Sequence, residues 1–141
     1  AAGIPLSELQ KQKADPPDFI PVKFGITKKR EQLYADIESR VDAMFAEGLT
    51  DEVAELLKRG FAPELNSLNT VGYKEVIEHL QGRISLEECL EKIKQNTRRY
   101  AKRQMTWFRR EKDVLWLEVA EGGDYERIAE LIRHKLQEAV V

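Results

Sequence analysis

Nine positively charged side chains fall between Lys92 and Lys112 against a single negative one, Glu111. They are Lys92, Lys94, Arg98, Arg99, Lys102, Arg103, Arg109, Arg110 and Lys112, and five of the nine are arginine, whose planar fork suits phosphate oxygens. At about 100° per residue of helix, Arg98, Arg99, Lys102, Arg103, Arg109 and Arg110 share one sector with Thr106. Leu86, Leu90, Ile93, Tyr100, Ala101, Met105 and Phe108 collect on the opposite side, as a face that docks on a core. Like charges at i,i+4 (Arg98/Lys102, Arg99/Arg103) repel modestly, and a bound polyanion would relieve that repulsion. The chemistry this pattern supports is contact with a nucleic-acid backbone. The competing account is a solvated basic face neutralised by acidic helices nearby; the segregation of signs and the arginine content favour the first.

Smaller features carry alternatives. Tyr100 and Trp107, at the edges of the basic sector, suit stacking on a base or a place at the core boundary. Gln104 interrupts the apolar face, where an amide needs a partner. Either it satisfies a loop backbone, or it points into a cavity and reads the edge of a base or ligand. In Asn69-Thr70-Val71-Gly72-Tyr73-Lys74-Glu75, a glycine before a helix frees backbone N–H groups for an anion, with Lys74 beside it. The plainer account is a loop–helix junction capped by Asn69 or Thr70. None of the eight glycines lies in G-x-x-x-x-G-K-S/T. His79 and His134 lack metal-ligand spacing and read as surface residues, Cys89 reads as a small buried side chain, and the carboxylates read as solvated helix faces. No self-contained catalytic constellation and no metal site is evident in these residues.

The elements that must position these groups follow from periodicity and breakers. Residues 1–18 read as a tail or linker, with Asp15-Pro16-Pro17 as an extended breaker. The apolar run Phe19–Ile26 suits a strand, Pro21 marking an edge. Thr27 is expected to cap a helix carrying Leu33, Ile37, Val41, Met44 and Phe45 and stopped by Gly48. A second helix starts at Thr50-Asp51-Glu52 and stops at Gly60, and a third spans Tyr73 to Gln81. Ser85 and Glu88 form a capping box for a long helix reaching about Arg110. Val114–Val119 is a second strand, and Asp124 caps a last helix within 120–141. Two strands separated by about ninety residues of helix need neighbours to be stable, so they read as members of a larger sheet. Residues 19–119 therefore form the body of a mainly α fold with two strands.

The 141 residues make one domain's worth of chain, 42% hydrophobic and 34% charged, which argues against wholesale disorder. No apolar run approaches membrane-spanning length, no signal pattern opens the chain, and one cysteine excludes an internal disulfide and a cysteine-based zinc site. The formal charge of −2 hides +8 between Lys92 and Lys112 and hence −10 elsewhere.

Several of these segments resemble the tRNA dimethylallyltransferase (tRNA isopentenyltransferase) family. Val71-Gly72-Tyr73-Lys74-Glu75, Leu80-Gln81-Gly82 and Ile84-Ser85-Leu86-Glu87-Glu88 are similar to that family's sequence. Thr97 to Arg109 matches its T-R-x-Y-A-K-R-Q-x-T-W-F-R signature. Gly3-Ile4-Pro5-Leu6-Ser7 resembles its T-G-x-P-L/I-S stretch, with Ala2 where threonine is usual. The resemblance covers nearly the whole chain, but only the C-terminal half of the enzyme. It implies a tRNA-binding portion of an α/β, P-loop NTPase-like core whose nucleotide-binding-type P-loop and general-base aspartate lie upstream, so that the fragment alone would be inactive. The implied reaction moves a dimethylallyl group from dimethylallyl diphosphate to N6 of the adenosine 3′ of the tRNA anticodon, with Mg²⁺, in a cytoplasmic, monomeric enzyme. By the resemblance, Asn69, Thr70, Val71, Gly72, Tyr73 and Lys74, with Lys102, Arg103, Gln104, Met105, Thr106, Trp107, Phe108 and Arg109, contact the anticodon stem-loop. Two other classes remain beside it: a non-enzymatic helical RNA-binding module, and a helical scaffold docking an acidic protein.

Overall fold

The computed structural model describes residues 19–120 and 122–139, together with Pro5 and Glu8. Of the expected tail and the Gly3–Ser7 stretch, everything but those two residues lies outside the described residues. The described order is β1 (Lys23–Thr27), α1 (Arg30–Ala46), α2 (Leu49–Lys58), α3 (Tyr73–Leu80), α4 (Leu86–Phe108), β2 (Val114–Glu118) and α5 (Tyr125–Ala139).

The helix ends follow short-range chemistry. Gly48, at φ 99°, closes α1 and serves as the N-cap of α2, a backbone state that a residue with a Cβ rarely adopts. Thr27 does not cap α1: it ends β1 and its carbonyl accepts from Val119 N–H at 2.8 Å, so the helix starts three residues later behind Lys29. Strand pairing claimed the backbone that the cap would have used. Likewise β1 begins at Lys23 rather than Phe19, beyond the Pro21 ring that cannot donate to a ladder. The capping box of α4 forms as expected, Ser85 Oγ accepting from Glu88 N–H at 3.2 Å and Ser85 N–H donating to Glu88 Oε2 at 2.8 Å. Asp124 Oδ1 accepts from Arg127 N–H at 3.0 Å and so caps α5.

Helices α1 to α4 pack round one core of Val41, Leu49, Val53, Leu68, Val76, Ile77, Cys89 and Ile93, with Met44, Phe45, Leu56, Leu57, Tyr73 and Ile84 closing its edges. The two strands pair with each other in parallel, Gly25 opposite Trp116 and Thr27 opposite Glu118. They form a two-stranded sheet among the described residues, and Ile26, Leu115 and Trp116 remain exposed on it. Parallel sheets are ordinarily covered on both faces, so this pair presents more apolar surface than water favours. Among the described residues no helix is long and apolar enough to cross a membrane.

Candidate nucleic-acid interface

Helix α4 has 23 residues, a length of about 34 Å, and it outruns the core. Its first half is anchored by buried Cys89 and Ile93. The apolar face expected to dock continuously does not: Leu86, Tyr100 and Phe108 are all exposed. The first half packs into the core through Cys89 and Ile93, α1 reaches as far as Arg98 through Glu38, and the last turns border an open cleft with β1, β2 and the start of α1. Ala101 and Met105 are half-buried there.

Between those last turns, β1, β2 and the start of α1 lies a cleft of about 1010 Å³. Lys102, Gln104, Met105, Thr106, Trp107, Phe108 and Arg109 all border it. Gln104 is exposed, borders the cleft and has no hydrogen bond among the described residues, so it does not satisfy a loop backbone there. Trp107, 59% exposed, meets Phe108 edge-on at a centroid distance of 4.9 Å, which leaves indole surface open to a flat ligand. Arg103 stands outside the cleft lining, its guanidinium 5.8 Å from the Tyr100 ring centroid. Thr106 spends its hydroxyl on the Lys102 carbonyl at 2.9 Å. The opposite wall brings residues that periodicity did not single out: Lys28, Arg30, Tyr34 and Trp116. A basic–aromatic run at the α1 start was the available signal, since Arg30 lies 5.1 Å from the Tyr34 ring.

The charge pattern divides in two. Lys92 pairs with Glu78 at 3.1 Å, Lys94 with Asp42 at 2.7 Å, and Arg98 with Glu38 at 2.6 Å. Asp42 holds the Lys94 ammonium above the usual lysine range by hydrogen bonding. For these three, neutralisation by acidic helices is the correct account. Arg99, Lys102, Arg103, Arg109, Arg110 and Lys112 make no ion pair among the described residues. The cationic surface therefore begins at Arg99 rather than Lys92, about two helical turns later than the sequence suggests.

The second segment, Asn69–Lys74, does not border the cleft; it forms the approach to α3. Neither Asn69 nor Thr70 caps that helix. Gly72 is the N-cap, at φ 103°, and Thr70 Oγ1 instead donates to Ser67 O at 3.4 Å. Val71 and Lys74 point outward, whereas Tyr73 turns inward and its hydroxyl donates to Glu52, a bond that raises its pKa above the usual phenol value. The N–H of Gly72 is already taken by Glu75 Oε2 at 2.8 Å and so is not itself free for an anion.

Glu75 is the residue that sequence reasoning missed. Only 4% exposed, it departs from the expectation that carboxylates here are solvated. Its other oxygen accepts from Asn96 Nδ2 on α4 at 2.8 Å. Its place three residues after a glycine N-cap was the local signal. His79 also corrects its assignment: it is part-buried, its Nδ1 3.1 Å from the Ile84 carbonyl, while His134 is exposed beside Glu138 at 3.3 Å. Cys89 is fully buried, and burial, then Glu75 and Glu78, push its thiol up to about 11. Among the described residues no three His, Cys, Asp or Glu side chains converge as metal ligands.

Fold and site together define a mainly α unit with two parallel strands, in which the end of one long helix carries cations that make no ion pair among the described residues beside an aromatic-walled cleft. The chain belongs to the IPP transferase family, whose model matches residues 1–111. It is 52% identical over 130 residues to the tRNA dimethylallyltransferase of Pelotomaculum thermopropionicum, covering 92% of this chain and 41% of that protein. It is 50% identical over 118 residues to the Geobacter metallireducens tRNA dimethylallyltransferase, covering 82% and 38% respectively. Among solved structures, it resembles the full-length tRNA isopentenylpyrophosphate transferase of Bacillus halodurans with a TM-score of 0.75 and 42% identity, over 83% of this chain and 39% of that one. The Staphylococcus epidermidis tRNA delta(2)-isopentenylpyrophosphate transferase aligns with a TM-score of 0.69 and 39% identity, over 80% and 38%. The chain thus spans about two fifths of the length of the relatives it matches.

Proposed function

We propose that this chain is the tRNA-gripping portion of a tRNA dimethylallyltransferase. The complete enzyme would move a dimethylallyl group from its diphosphate to N6 of the adenosine 3′ of the anticodon, in the cytoplasm. The observation that carries the reading is the run Lys102–Arg109, in which Lys102, Arg103 and Arg109 make no ion pair among the described residues and an exposed indole, Trp107, lies on the rim of a cleft. Lys102, Arg103 and Arg109 would hold phosphates of the anticodon stem-loop, Trp107 would stack on an unpaired base, and Gln104 would read a base edge. Met105, Thr106 and Phe108 shape the wall behind them. Asn69, Thr70, Val71 and Lys74 would meet the same loop from the α3 side, with Gly72 and Tyr73 shaping that approach.

The chemistry explains why such a grip matters. An exocyclic adenine amine is a poor nucleophile, so its position relative to the allylic carbon and the removal of its proton set the rate. Taking a base out of a stacked loop costs a few kcal/mol, which backbone and stacking contacts must offset. The side chains here bind and orient the nucleotide. In this proposal the Mg²⁺ ion and the diphosphate are held outside this chain.

Binding of an anticodon stem-loop to the chain at two salt concentrations tests the reading. An affinity that falls steeply with salt is expected. Absence of binding, or binding indifferent to salt, would remove it.

A further inference from the structure

Two observations concern the same small volume. Glu75 is a buried carboxyl whose two oxygens are both engaged, one by the Gly72 N–H at 2.8 Å and the other by Asn96 Nδ2 at 2.8 Å. Asn96 in turn accepts from Arg99 Nη1 at 3.4 Å through its Oδ1. A continuous chain of hydrogen bonds therefore runs from the loop ahead of α3, through the protein interior, to an arginine of the cationic face. Gly72 needs this support: at φ 103° and ψ −65° its backbone occupies a state open to glycine, and its N–H is buried. A buried donor left unpaired is costly, so the carboxyl both stabilises the loop and dictates where it stands relative to α4.

We infer that Glu75 is a positioning residue, which through Gly72 and Asn96 fastens the Asn69–Lys74 loop and Arg99 into one preformed surface for the RNA backbone. This rests on the RNA-binding reading above and adds to it a residue that touches no RNA, and a further phosphate contact at Arg99. A surface whose two halves are already fixed relative to each other loses less freedom on binding, and that difference appears in affinity.

The test is anticodon stem-loop binding by the chain, with thermal melting followed by circular dichroism in parallel. Glu75→Gln replaces one acceptor with a donor that faces the Asn96 amide, and it should weaken binding by about tenfold. Adding Asn96→Asp restores the pairing with donor and acceptor exchanged, since the glutamine amide can donate to the new carboxylate while its oxygen still accepts from Gly72. That double variant should recover most of the affinity. Should Glu75→Gln fail to fold, Asn96→Ala leaves the Glu75–Gly72 bond in place and should still weaken binding. Folded single variants that bind like the parent would overturn the inference, as would a double variant that regains its melting temperature but not its affinity. Lys102→Ala with Arg103→Ala is the control. If it too leaves binding unchanged, the RNA reading falls and takes the brace with it; if it weakens binding while the Glu75 and Asn96 variants do not, the brace alone is wrong.

Discussion

Arg98 Nη1 lies 2.6 Å from Glu38 Oε1, sixty positions earlier in the chain, and this contact ties α4 to α1. It separates arginines that look equivalent on a helical wheel. Arg98 already has an anion, whereas Arg103 and Arg109 have none among the described residues.

The first prediction follows from that division. Arg103→Ala and Arg109→Ala should each weaken anticodon stem-loop binding by about tenfold and lower the salt slope by about one, without unfolding the protein. Arg98→Ala should leave RNA affinity within about twofold and cost about 0.2–1 kcal/mol of stability, the usual range for a partly exposed pair. Titrations at several salt concentrations, paired with denaturant melts, check both halves. Equal losses of affinity at all three positions would mean that Glu38 does not withhold Arg98.

Gln104 offers a sharper contrast between binding and chemistry. It borders the cleft with no intramolecular partner among the described residues, so its amide is available to a nucleobase. In the complete enzyme Gln104→Ala should lower kcat by at least about tenfold while changing tRNA affinity by less than about threefold. Single-turnover transfer alongside equilibrium binding separates the two. An unchanged rate would make Gln104 a plain surface amide.

Gly25 stands opposite Trp116, and a Cβ built on it would fall 2.6 Å from two indole carbons. The ring lies across the strand because nothing projects there. Gly25→Ala should displace the indole, cost about 1–3 kcal/mol and reshape the cleft wall that Trp116 contributes. Tryptophan fluorescence and a melting curve report the two effects; an unchanged spectrum with unchanged stability would show that the strand yields instead.

Cys89 gives a pH prediction. Burial, helped by Glu75 and Glu78, pushes its thiol up to about 11, above the unfolded value. The folded state thus binds this proton more tightly than the unfolded state. Its stabilising effect is complete below the unfolded pKa and is lost as pH rises from about 9 toward 11. Denaturant melts across that range should show stability falling in the parent and falling less in Cys89→Ala. Alkylation at pH 8 should label Cys89 only at the rate at which the core opens.

Much of the secondary structure was legible because its determinants are local. The Ser85–Glu88 box, the Asp124 cap, and the glycine stops at Gly48 and Gly60 each depend on groups within a few residues of one another. The same is true of the helical stripe that placed Cys89 and Ile93 inside. Thr27 went wrong where a distant partner intervened: the Val119 N–H took its carbonyl, and the residue became strand.

By itself the sequence determined the helices, the density of arginine on one of them, and the motifs that mark the family. Only the tertiary structure decided which cations are spoken for, since Glu78, Asp42 and Glu38 reach Lys92, Lys94 and Arg98 from other helices. It also decided that β1 and β2 lie side by side, that Trp116 faces the α4 aromatics across a cleft, and that Glu75 is buried against Asn96. The physical reason is range. Caps and periodicity depend on separations of three or four residues along the backbone, whereas neutralisation and burial depend on distances through space that exist only once the helices have packed.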